Sequence, residues 1–136
     1  MIYEATIQFV KIDNKGNDRS VKQSFAIENK ETFAEVEYKL YEEFEGYTGL
    51  DVIAIKRSKA KEVANTRTYD DERIWEAIVK DVYTDDDGEE TEMKYKILFF
   101  AKGVNNAMNY ITEYLKQGFD MQLVALKETS LCDVIV

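Results

Sequence analysis

The sequence predicts an α+β protein made of two tandem ββαβ repeats that share one core, with mixed sheets and two helices. Three observations carry this expectation. The line "IYEATIQFVKIDNKGND", from Ile2, returns in similar form as "IWEAIVKDVYTDDDGEE", from Ile74. Each copy opens with the two-residue alternation of a half-buried strand. Each then changes to the three-to-four-residue spacing of an amphipathic helix.

Sliding the chain by 72 places puts Ile2, Glu4 and Ala5 on Ile74, Glu76 and Ala77, and Tyr3 on Trp75. Gly16 then falls on Gly88, Lys22 on Lys94 and Gly46 on Gly118. Further on the slide becomes 71, with Ala54, Lys56 and Val63 on Ala125, Lys127 and Val134, so one residue is expected to be missing from the second helical segment. Self-similarity at a fixed period marks duplicated structural units. The expected division is 1–66 for the first repeat and 67–136 for the second, within one compact domain.

The first strand of each copy has two faces. Tyr3, Ala5, Ile7 and Phe9 alternate with Glu4, Thr6 and Gln8, and Trp75, Ala77 and Val79 alternate with Glu76 and Lys80. "DNKG" and "DDDG" follow. Asp and Asn bond to nearby backbone and Gly accepts a positive φ, so both read as hairpin turns. Second strands run from Val21 to Ile27 and from Met93 to Phe100. Thr32 and Glu35 form a capping box, and Phe33, Val36, Leu40 and Phe44 make the buried stripe of the first helix. Val104, Ala107, Ile111 and Leu115 make the stripe of the second, and Gly46 and Gly118 stand where left-handed caps would end the helices. The closing strands, "LDVIAIK" and "MQLVALK", are apolar on both faces, as central strands are. A right-handed crossover is expected to lay the closing strand parallel to the first, in the order second, first, third. "ANTRTYDDER", residues 64–73, connects the copies. Three strands and one helix bury little alone, hence the shared core.

With 136 residues, 45% of them hydrophobic, the chain can bury a sizeable core. No apolar run approaches the roughly 20 residues of a membrane span, and "MIYEATIQFV" lacks the basic-then-apolar layout of a secretory signal. A single cysteine, Cys132, excludes an internal disulfide and reads as a small buried residue; the expected location is the cytoplasm. The absence of His removes Ser-His-Asp and Cys-His catalysis, His-ligated zinc and the usual neutral-pH proton shuttle. The net charge of −9 opposes binding to phosphate backbones and favours a basic partner. Against that acidity stands one basic stretch. Lys56, Arg57, Lys59, Lys61 and Arg67 share residues 56–67 with Glu62 as the only acid, and these five are the candidate contact residues. In a continuous strand Lys56 and Arg57 would point to opposite faces, unless the chain turns after Arg57.

The runs "VIAIKRSKAKEV", "DERIWEAIVKDVYTDDDGEE" and "LKETSLCDVIV" together resemble an uncharacterised domain-of-unknown-function family of Bacteroidetes and their phages. The family's Ile-Lys-Arg corresponds to Ile55, Lys56 and Arg57, and its acid before a hydrophobic to Glu62 and Val63. Of the aromatic pair that opens the family's second half only Trp75 is kept; Ile74 replaces its neighbour, and Ala77 stands where Cys is usual. The resemblance implies a phage or mobile-element origin and assigns no catalytic, cofactor or metal residue.

The remaining motifs are weak. "TDDDGEETE" suggests a calcium loop, but with Gly88 at the sixth position Tyr83 and Lys94 occupy the first and twelfth, where oxygen ligands belong. Glu92-x-Lys94 beside the acidic turn suggests a magnesium nuclease, yet the first copy keeps only Lys22. The aromatics Tyr3, Phe9, Phe25, Trp75, Tyr83, Tyr95, Phe99 and Phe100 lie on predicted strands, where they either fill the core or stack bases. The expected function is therefore a non-catalytic, phage- or mobile-element-associated binding or regulatory protein that needs no cofactor or metal and contacts a host or phage protein. The alternative is a single-stranded nucleic-acid or nucleotide binder using sheet aromatics and the 56–67 patch.

Overall fold

A computed structural model describes residues 1–118 and 120–136. The elements are β1 (Tyr3–Ile12), β2 (Asp18–Ile27), α1 (Phe33–Glu43), β3 (Asp51–Arg57), β4 (Ala60–Val63), β5 (Arg73–Thr84), β6 (Glu90–Ala101), α2 (Val104–Leu115), β7 (Met121–Glu128) and β8 (Leu131–Ile135). They form two compact units, residues 1–58 with 131–136, and residues 59–130. One four-stranded sheet has the order β3-β1-β2-β8, the other β4-β6-β5-β7. The class is α+β with mixed sheets and two helices, and both ββαβ segments are present.

The two hairpins are built alike. In the first, Asp13 Oδ1 accepts from the N–H groups of Lys15 and Asn17, and Gly16 has φ +79°. In the second, Asp85 Oδ1 accepts from Asp87 and Glu89, and Gly88 has φ +80°. Pairing with Asn17 N–H and the Arg19 guanidinium holds the Asp13 carboxyl below its ordinary range. The first-strand aromatics also correspond: Tyr3 donates its hydroxyl to Glu31 O, and Trp75 donates Nε1–H to Ala101 O. Each ring buries its body and satisfies its polar tip on backbone.

Each unit has its own hydrophobic cluster. In the first, Tyr3, Ala5, Ile7 and Phe9 of β1 meet Phe25 and Ile27 of β2, Val36, Leu40 and Phe44 of the α1 segment, and Ile135. In the second, Trp75, Ala77 and Val79 meet Ile97, Phe99 and Ala101, with Ala107 and Ile111 of α2. The capping box forms, with Glu35 N–H donating to Thr32 Oγ1 and Glu31 N–H to Glu35 Oε2.

Several expectations need correction. The order second, first, third is as expected, but β3 and β7 run antiparallel to β1 and β5. The crossover leaves from the second strand, so the parallel relation it imposes holds between second and third. Despite apolar residues on both faces, β3 and β7 are edge strands, and Ile53 and Val124 are exposed. The missing residue lies before α2, not within it: Val36 and Leu40 correspond to Ala107 and Ile111 at a shift of 71 already. Gly118 therefore has lost its alignment with Gly46. Gly46 has φ +91°, while Gly118 lies outside the left-handed region. Phe33 and Val104 open their helices and are exposed there rather than buried. Cys132 is exposed too. The register against β2 jumps from Ser24–Leu131 to Phe25–Asp133 and leaves Cys132 at the bulge.

β4 and β8 lie outside the ββαβ pattern expected of each repeat. Each closes a repeat in sequence but pairs with the second strand of the other repeat, β4 parallel to β6 and β8 parallel to β2. The exchange is register-matched: Ala60 faces Lys96 and Glu62 faces Ile97, as Leu131 faces Ser24 and Asp133 faces Phe25. Chain geometry excludes the same pairing within one repeat. To lie beside β2 of its own sheet, β4 would have to pass three strand spacings from β3, about 14 Å, and also return to the starting end of the sheet. Two linker residues, Ser58 and Lys59, reach only about 11 Å across three Cα steps. Thr129 and Ser130 impose the same limit on β8.

Candidate functional site

The five basic candidates are spread over both units. Lys56 and Arg57 end β3 in the first unit, where Lys56 stands opposite Glu4 and Arg57 opposite Tyr3. The repeat gives Lys56 a counterpart in the second unit. Its counterpart Lys127 stands opposite Glu76, with Nζ 3.7 Å from Glu76 Oε1, while Lys96 Nζ lies 3.1 Å from Oε2. Opposite charges on facing strands stabilise the pairing. Lys59, Lys61 and Arg67 belong to the second unit. The Lys61 ammonium sits 4.5 Å above the Tyr95 ring. The Arg67 guanidinium lies 4.9 Å above Phe100 and donates to Asp70 O and Glu72 O. It helps to shape the connector, whose Glu72 carboxylate accepts from Thr68 and Tyr69 N–H and is held below its ordinary range chiefly by Tyr69.

The strand aromatics fill the cores. Tyr3, Phe9, Phe25, Trp75, Phe99 and Phe100 are buried, Tyr95 is half-buried, and of the eight only Tyr83 is exposed. Rings packed in this way offer no platform for successive bases.

A tyrosine cluster lies in the second unit. Tyr114 donates to Glu62 Oε1 at 2.5 Å, Tyr110 stacks on Phe99 at 4.8 Å, and Tyr95 reaches Met121 Sδ. Burial, then the Glu62 carboxylate, holds the Tyr114 phenol far above its ordinary range; burial raises Tyr95 and Tyr110 as well. Phenols held protonated serve as donors, not bases, at neutral pH. Among the described residues no three acidic or cysteine side chains converge as a metal group. Lys80 pairs with Glu92 at 2.9 Å, so Glu92 of the Glu-x-Lys motif is engaged across the hairpin.

The outward face of α1 carries a second candidate that the core stripe does not mark. Val36 and Leu40 face the core, and Ala34, Tyr38 and Tyr41 follow at i, i+4 and i+7 as a second stripe turned away from it. Tyr38 is 74% exposed and Tyr41 41%. Tyr41 is anchored because its hydroxyl accepts from Val52 N–H. Ala34, Glu37, Tyr38 and Tyr41 line a depression of about 300 Å³. On the other side of Tyr38 a larger one, about 550 Å³, is lined by Lys30, Glu35, Lys39 and Glu42 among others. Residues 28–45 hold seven Glu against two Lys. Lys39 Nζ lies 3.6 Å from both Glu42 and Glu43, whereas among the described residues Glu37 has no ion pair. The signal was legible as Tyr38 and Tyr41 off the core stripe, but only packing showed that no neighbouring element of the unit covers them.

The second copy supplies a comparison on the same scaffold. At a shift of 71, Ala34, Glu37, Tyr38 and Tyr41 correspond to Asn105, Met108, Asn109 and Thr112 of α2. The core positions stay apolar in both helices, but the aromatic stripe and its free carboxylate occur in α1 alone. The fold therefore does not require them.

Over residues 1–136 the chain matches the family model described as a domain of unknown function, DUF4494. The chain belongs to that family. Membership spans the full set of elements above, and it leaves activity open. No curated protein and no solved structure matches the chain.

Proposed function

We propose that the chain is a non-catalytic binding or regulatory protein that acts in the cytoplasm through contact with another protein, in association with a phage or other mobile element. The observation that supports this most is the exposed, acid-rimmed tyrosine stripe of α1, absent at the matching positions of α2. Exposed aromatics within a polar rim are the composition of protein-contact surfaces. The net charge of −9 suits a basic partner surface. Burial of the strand aromatics counts against the single-stranded nucleic-acid alternative. The mobile-element association follows only from the family resemblance, and no helix among the described residues is long and apolar enough to cross a membrane.

The test is site-specific photocrosslinking in the cells that carry the gene. A photoreactive residue at position 38 should give a discrete adduct of protein, resistant to nuclease, and one at position 109 should not. No adduct at 38, or equal adducts at both positions, would overturn the reading.

A further inference from the structure

We infer that the α1 face receives an arginine side chain of a basic, extended segment of the partner, with the guanidinium seated between Tyr38 and Tyr41 and facing the Glu37 carboxylate. This rests on the protein-contact reading above. The two depressions beside Tyr38 differ in charge state. On the Lys39 side, Glu42 and Glu43 already share an ammonium, and Glu35 Oε2 is engaged by Glu31 N–H. On the other side Glu37 stands next to two exposed phenol rings with no cation against it among the described residues. An anionic, aromatic-walled depression is complementary to a planar cation. A guanidinium stacks on a ring face and forks onto a carboxylate at once, whereas an ammonium is a strongly hydrated point charge without a face to stack. The protein uses that chemistry internally, with Arg67 above Phe100. Tethering of the Tyr41 hydroxyl to Val52 N–H holds one wall in place and lowers the entropic cost of docking.

The seat is also specific to α1. Residues 28–45 carry a formal −5, whereas residues 100–117, which span α2, carry +1 and present Asn105, Asn109 and Thr112 outward. The same chain thus contains its own negative control.

The experiment is fluorescence anisotropy of the full chain with a labelled peptide of alternating Arg and Ser, beside matched Lys-Ser and Glu-Ser peptides. The Arg peptide should bind best, the Lys peptide more weakly and the Glu peptide not at all, with affinity falling as salt rises. Tyr38→Ala should weaken the Arg peptide about two- to fivefold, the size of an exposed cation–π contact. Tyr38→Ala with Glu37→Gln should weaken it by roughly tenfold and erase the preference for Arg over Lys. Asn109→Ala should change nothing. All three positions are exposed, and unchanged circular dichroism would confirm that the variants fold. Equal binding of Arg and Lys peptides, no binding of the Arg peptide, or equal losses from Tyr38→Ala and Asn109→Ala would each overturn the arginine seat. A position-38 protein adduct without an Arg preference would sink this inference and leave the protein-contact reading intact; no adduct would remove both.

Discussion

Ile135→Ala tests whether the first unit depends on a strand delivered from the far end of the sequence. Ile135 is 7% exposed and packs in the cluster of Tyr3, Phe25 and Leu40, while its backbone pairs with Ile27 and its carbonyl accepts from Glu28 N–H. The substitution deletes three buried carbons. At about 0.8 kcal/mol per CH₂ the transfer loss is roughly 2.5 kcal/mol, and a partly collapsed cavity brings it to about 3 kcal/mol. If the chain melts as one cooperative system, an unfolding entropy of about 2.1 cal/mol/K per residue turns that loss into a Tm decrease of about 10 °C. Val136, one residue on, is 65% exposed, so Val136→Ala should stay within about 0.5 kcal/mol. Urea unfolding of the two variants and the parent measures both values. Hydrogen exchange then locates the loss, with faster exchange expected in β1 and β2. Equal stability of Ile135→Ala and Val136→Ala would refute the strand exchange.

Three further outcomes are expected. Gly16→Ala and Gly88→Ala, at φ +79° and +80° with open space around the added carbon, should each cost about 1–2 kcal/mol from backbone strain alone, while Gly103→Ala, at φ −164°, should be tolerated, as thermal melts would show. Spectrophotometric titration should leave the Tyr114 phenol protonated well above pH 10. Because its folded value is raised, its stabilising contribution is complete below pH 10 and declines as pH rises beyond it, a decline that Tyr114→Phe should lessen in alkaline melts. A mixed-sequence single-stranded oligonucleotide should show weak or no binding at physiological salt in an anisotropy series; tight binding that falls with salt and vanishes when Lys56, Arg57, Lys59 and Lys61 become Glu would restore the nucleic-acid alternative.

The strands, turns and helices were legible because they rest on local chemistry. Asp13 and Gly16 make a hairpin as Asp85 and Gly88 do, and Thr32 caps a helix whatever lies beyond it. The repeat transferred each local assignment from one copy to the other. What it could not do unaided was place the one-residue deletion, since only the burial of Ala107 and Ile111 set the register of α2. The fates of β4 and β8 depend on which edge a short link can reach, a distance in space rather than a property of "AKEV" or "LCDVI", although the matched Val63 and Val134 had marked both segments as part of the repeat. The candidate site divides in the same way. Residue type alone made Lys56, Arg57, Lys59, Lys61 and Arg67 conspicuous, but stacking on rings gave Lys61 and Arg67 structural work. Tyr38 looked like one more aromatic in a chain rich in them. Its exposure follows from which side of α1 the sheet covers, and that was decided only when the strands came together.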